Sequence, residues 1–206
     1  GTKVGAPQYT LEELTALVDE AHSRGLKVAS HAHGSEGIIN ALKAGADTIE
    51  HASFIDDEGI RLAIENDAAL SMDIYVTEYI LGEGANAGIL EESLEKERMT
   101  GATQRSNFRK AVEAGATIVY GTDAGVYPHG QNAKQLSRMT RFGMTPLQAI
   151  QSATVTAAEV MGWGYEVGKI QEGYAADFIA VKGNPLENIE LLETPAVIIK
   201  GGERYR

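Results

Sequence analysis

The chain of 206 residues contains no cysteine. Disulfide scaffolds, thiolate zinc sites and cysteine nucleophiles are therefore excluded, although a missing cysteine says little about compartment. No apolar run approaches the roughly 18 residues of a membrane span. The first segment, Gly1-Thr2-Lys3-Val4-Gly5, has no apolar stretch of the signal-peptide kind. It also lacks an initiating Met, and the natural start of the product is expected upstream. Basic residues are few: 18 Lys and Arg against 29 Asp and Glu, a formal charge of −11. A balance so acidic lacks the electrostatic footprint of a nucleic-acid binder and disfavours anionic membranes as partners. The P-loop, the H-E-x-x-H pair, the strand-borne G-x-G-x-x-G and the G-x-S-x-G elbow are all missing.

What is present is a soluble, globular composition, 43% hydrophobic and 23% charged, in a chain long enough to bury a core. Thr10-Leu11-Glu12-Glu13 reads as a capping box. A helix follows with Leu11, Leu14, Leu17, Val18 and Ala21 on one face, ending at Gly25 before a short strand, 26–30. The same unit then recurs. Helix 35–44 leads to strand 47–50, helix 56–66 to strand 69–73, and helix 104–114 to strand 117–121. Two joints share a phrase, Ala41-Leu42-Lys43-Ala44-Gly45-Ala46 and Ala111-Val112-Glu113-Ala114-Gly115-Ala116. Short strands alternating with helices predict a parallel sheet with crossover helices.

The segment 76–100 interrupts this rhythm. With Gly82, Gly84 and Gly88 before a charged helix 90–99, it reads as a long βα loop able to cover a site. A second loop, 125–130, follows Asp123. Helices are expected at about 132–142, 146–152 and 157–161, with Pro146 at a first helical position. From Gly168 the pattern turns to strands and turns, with a strand and hairpin turn over 196–203. The chain thus divides into an α/β region, 1–167, and a β-rich tail, 168–206.

Four groups lie at predicted strand ends: His31 and His33 after Val28-Ala29-Ser30, His51 after Thr48-Ile49-Glu50, and Asp123 after Tyr120-Gly121-Thr122. In a parallel α/β fold this is the functional face. Two imidazoles and a carboxylate there can share a divalent metal such as zinc. Spacing alone leaves other roles open. Asp123 suits a turn or N-cap beside Gly121 and Gly125. Tyr75 is a substrate hydroxyl donor or rim packing, His129 a turn residue or a substrate contact, and His22 a surface residue.

Taken together, Val28-Ala29-Ser30-His31-Ala32-His33-Gly34, Thr48-Ile49-Glu50-His51-Ala52 and Tyr120-Gly121-Thr122-Asp123-Ala124-Gly125 resemble the amidohydrolase superfamily. Gly173-Tyr174-Ala175-Ala176-Asp177-Phe178 and Lys182-Gly183-Asn184-Pro185-Leu186 resemble its C-terminal return to a small β-sandwich. Met72-Asp73-Ile74-Tyr75 and Tyr127-Pro128-His129-Gly130-Gln131-Asn132-Ala133 are similar to the Xaa-Pro dipeptidase-like and imidazolonepropionase-like branch.

The resemblance implies strands 5 to 8 of a distorted (β/α)8 metal-dependent hydrolase barrel, then β segments of a composite sandwich. His31, His51 and Asp123 would hold one or two divalent ions, zinc being expected, with Asp123 also the general base and acid. His33, Tyr75 and His129 would bind a small-molecule or dipeptide substrate. The family's strand-1 His-x-His and strand-4 lysine have no counterpart here, and a full barrel takes about 250 residues. The first half of the barrel is therefore an expected partner, and a homo-oligomer is expected. Two alternatives stand beside amide hydrolysis: a non-catalytic half-barrel that needs its N-terminal half, and a cyclic amide or imine hydrolase, including deamination. Compartment is open, with the cytoplasm favoured.

Overall fold

A computed structural model describes residues 5–206. The segment 1–4, where a leader was sought, lies outside the described residues.

The Thr10 capping box forms: its hydroxyl accepts from Glu13 N at 3.3 Å, and the Glu13 carboxylate accepts from Thr10 N at 2.8 Å. It opens α1 (Leu11–Ser23), and β1 (Ala29–Ala32) follows. Next come α2 (Ser35–Ala44), β2 (Thr48–His51), α3 (Asp57–Glu65) and β3 (Ala69–Ser71). After β3 run α4 (Val76–Glu83), α5 (Glu91–Ala114) and β4 (Ile118–Val119). The four strands pair in parallel in the order β1-β2-β3-β4.

The repeated joint phrase has a backbone cause. Gly45 (φ 94°) and Gly115 (φ 81°) sit in the left-handed region, which glycine enters without a Cβ penalty. Each closes its helix with the same pair of bonds: Gly45 N to Leu42 O and Ala46 N to Ala41 O, and Gly115 N to Val112 O and Ala116 N to Ala111 O. The chain is thereby returned directly into the next strand.

Alternation along the strands separates two faces. Ile49, Leu70 and Ile118 pack outward with Ile38, Leu42, Phe108 and Met139 in one core between sheet and helices. The register His31–Glu50–Ser71–Val119 runs across the other, polar face. With one face apolar and the other not, a one-residue slip would bury charge, so the register is held.

The expected long loop 76–100 is largely helical, and the two helices expected at 90–99 and 104–114 are one helix of 24 residues. Gly101 does not break α5, because it is where α5 meets α4. A Cβ there would lie 2.4 Å from Thr77 Cγ2. The glycine-rich turn 84–90, with Gly88 at φ 84°, is the real break.

Beyond β4 come α6 (Lys134–Arg141), α7 (Pro146–Ser152) and α8 (Val155–Val160), the last beginning two residues before its expected start. The tail carries β5 (Phe178–Ala180), β6 (Val197–Lys200) and β7 (Glu203–Arg204), paired antiparallel in that order. Gly201 and Gly202, both at positive φ, make the hairpin turn between β6 and β7. No helix among the described residues is long and apolar enough to cross a membrane.

Candidate metal centre

The carboxyl ends of β1 and β2 bring three imidazoles together. His31 is the next-to-last residue of β1, His33 lies one residue beyond β1, and His51 ends β2. Their ring centroids are 4.5 to 4.9 Å apart, with His33 stacked on His51 and His31 edge-on to both. One donor atom from each lies within 4.8 Å of the others, and the same holds for His51, Asp73 and Asp123. The two groups share His51, which has His31 on one side and Asp123 on the other. Asp73, two residues past β3, joins them and was not among the expected residues.

The backbone is strained at this point. His51 (φ 68°), Ala52 (φ 47°) and Asp123 (φ 49°) all adopt the left-handed region. For residues with a Cβ this costs on the order of 1 kcal/mol or more each, and it persists only where neighbours over-determine it. Here Ala52 N donates to Ala32 O at 3.1 Å and Phe54 N to His33 O at 2.8 Å. These bonds tie the turn after β2 to the end of β1.

The side chains are held from behind. His51 Nδ1 donates to Asp73 Oδ1 at 3.0 Å, since a carboxylate only accepts. Gln104 Nε2, on α5, donates to Asp73 Oδ1 and to His51 O, each at 3.1 Å. His33 Nδ1 is 2.8 Å from the Ser53 hydroxyl, and Asn107 Nδ2 donates to Ser53 O at 3.0 Å.

Electrostatics divides the histidines. Burial, with the neighbouring imidazoles, depresses His33 to about 4. His31 is lowered too, mainly by burial and then by His51. Burial also opposes the His51 cation, but the hydrogen bond and charge of Asp73 outweigh it, and His51 is raised. Asp73 is correspondingly lowered: its burial is overcome by the bond from His51. Asp123 is raised by burial and by the Asp73 charge. Neutral imidazoles and carboxylates converging without a thiolate suit a divalent ion of the zinc type, so the residues present fit such an ion.

Tyr75 is the residue before α4, two residues past Asp73. It is buried, edge-on to Tyr127 at 5.1 Å, and its hydroxyl is 3.1 Å from Gln131 Oε1. Arg138 sits over its ring at 5.2 Å, and that guanidinium is held by Glu78 through bonds of 2.9 and 2.7 Å. His129 is exposed on its loop, with no hydrogen bond or ring contact to the cluster among the described residues. His22 bonds Asp47 at 2.9 Å across α1 and the start of β2, a structural tie in keeping with a residue apart from the site. A cleft of about 380 Å³ opens against His31 and His33, walled by Tyr9 and by Lys96 and Thr100 of α5.

Asp73 had a readable signal, since it follows β3 as Asp123 follows β4. Gln104, Asn107 and Ser53 had none: their roles depend on where α5 crosses behind the sheet.

A family model for the amidohydrolase family matches residues 1–203. The chain belongs to the amidohydrolase family. Ochratoxinase of Aspergillus niger is 35% identical over 204 residues, which cover 97% of this chain and 42% of that protein. Imidazolonepropionase of a Geobacillus species is 26% identical, over 83% of this chain and 37% of that protein. The crystal structure of a Xaa-Pro dipeptidase with methionine bound in its active site matches with a TM-score of 0.91 at 42% identity, covering 97% of this chain and 50% of that one. This amidohydrolase chain spans about half the length of the relatives it matches. Its parallel β/α units and small antiparallel sheet have the fold of half of an amidohydrolase (β/α)8 barrel.

Proposed function

We propose that the chain carries the C-terminal half of the active site of a metal-dependent hydrolase that cleaves the amide bond of a dipeptide or N-acyl amino acid. The observation that carries this reading is the pair of overlapping groups at strand ends, His31-His33-His51 and His51-Asp73-Asp123, with strained backbone at His51 and Asp123. Its likeness to a Xaa-Pro dipeptidase structure supports a peptide-like substrate. His31, His51 and Asp123 would hold a divalent ion, zinc by their donor chemistry, which would supply Lewis acidity to a carbonyl oxygen and acidify water. Asp123, raised above the ordinary carboxylate value, accepts the proton lost by the attacking water. It then delivers that proton to the leaving nitrogen, acting as base and then acid. His33, Tyr75 and His129 serve substrate binding, and the N-terminal half of the barrel supplies the rest of the ligands.

Asp123→Asn in the full-length enzyme is expected to abolish turnover, with the fold kept by circular dichroism; an active variant overturns the role. The 206-residue chain is expected to bind zinc weakly, having three of the ligands. Tight stoichiometric zinc in elemental analysis of this chain alone contradicts a shared site.

One observation favours the reading of a half that is inactive alone. Among the described residues, β1 and β4 each have a neighbour in the parallel sheet on one side only. Mass spectrometry of purified active material, giving one chain or two, separates that reading from the first. The 26% identity to imidazolonepropionase keeps cyclic amide hydrolysis as the variant chemistry.

A further inference from the structure

We propose that Gln104 is a positioning residue that fixes the tautomer and orientation of His51 through Asp73. The inference rests on the metal reading above and goes beyond it, since it concerns how the ligand is prepared. One carboxamide makes two bonds to the same histidine unit. Its Nε2 donates to the carbonyl of His51 itself and to Asp73 Oδ1, the oxygen that also accepts from His51 Nδ1. A neutral imidazole carries one N–H. With Asp73 facing Nδ1, that proton is placed on Nδ1 and Nε2 keeps its lone pair.

The group is deep: Gln104 and Asp73 are each 4% exposed. A buried amide in mid-helix is costly unless it is bonded, and an apolar side chain would fill the same space. One turn along α5, Asn107 repeats the arrangement on Ser53 and, through it, on His33. Two amides on one helix face thus stand behind two of the three clustered imidazoles. The Gln104 bond to His51 O also holds the carbonyl of a residue at φ 68°, where the turn needs outside support.

The test uses the 206-residue chain and two readouts. Long-range 1H–15N NMR of the imidazoles, on the alkaline side of their titration, reports the tautomer without metal. Chelator competition reports zinc affinity. In the parent chain His51 is expected as one tautomer, protonated on Nδ1. Gln104→Met, unbranched and without a donor, is expected to give a mixture and to weaken zinc by about 10- to 100-fold. Should Gln104→Met fail to fold, Gln104→Asn, one methylene too short to reach both partners, is expected to give the same mixture.

Asn66→Ala is the control for a merely structural effect, because Asn66 bonds Leu42 O, where α3 meets α2. It is expected to lower Tm while leaving tautomer and affinity unchanged. An unaltered His51 tautomer and unaltered zinc affinity in a folded Gln104 variant overturn the proposal. Where this chain alone holds zinc too weakly for competition, the His51 tautomer by itself decides the role of Gln104, and an unaltered tautomer overturns it.

Discussion

His33 and His51 stack with centroids 4.7 Å apart, yet burial lowers the pKa of the one while Asp73 raises that of the other. His33 is neutral in the fold down to about 4, whereas in the unfolded chain it takes a proton near 6.5. The unfolded state therefore binds more protons between these values, and stability from this site falls as pH drops from 6.5 to 4, by ~2 kcal/mol once partial exposure is allowed for. His33→Asn is expected to flatten that loss, measured by urea unfolding of the metal-free chain at neutral and acid pH; an unchanged slope contradicts it. His51 behaves inversely. Its pairing with Asp73 stabilises fully below 6.5 and is lost as pH rises through its higher folded value. Protons also compete with metal at His51, so zinc affinity is expected to go on increasing above pH 6.5. A titration series that is flat there argues against His51 as a ligand. Position after a strand made His31, His51 and Asp123 legible in the sequence. Asp73 follows a strand in the same way, but its bond to His51, 22 residues away in the chain, is visible only in the fold.

At the scale of elements, α4 and α5 are where sequence reasoning and structure part. Four glycines between 82 and 101 resemble punctuation throughout, but they do different things. Gly88 allows a left-handed turn, whereas Gly101 allows close approach of two helices. Gly101→Ala gains up to about 1 kcal/mol of helix propensity. It also drives a methyl into the buried Thr77, an overpacking cost of about 1–3 kcal/mol. Net destabilisation by denaturant titration is the expected outcome, and a stabilised variant would show that α4 yields there. Local signals were more dependable. Thr145 caps α7 with a reciprocal bond pair to Gln148. Thr145→Ala is expected to cost about 1 kcal/mol in the same assay.

For the molecule as a whole, the open edges of the parallel sheet and an uncovered apolar surface belong together. Tyr165 and Ile170 are each more than nine-tenths exposed, and Trp163 is more than half exposed. Unpaired strand edges and apolar patches of this kind promote pairing with another chain. The isolated chain is expected to associate with increasing concentration in sedimentation experiments. A monomer at every concentration tested would show that these surfaces are tolerated in water. By itself the sequence determined the alternation of strand and helix, the glycine-capped joints and the strand-end His and Asp residues. Each of these is written in neighbouring residues through periodicity, capping and backbone freedom. Only the tertiary structure decided that Asp73 meets His51, that α5 is one helix and that Gln104 and Asn107 stand behind the imidazoles. Those contacts join residues 22 to 54 apart, and they exist only once the outer face of the sheet is buried against its helices.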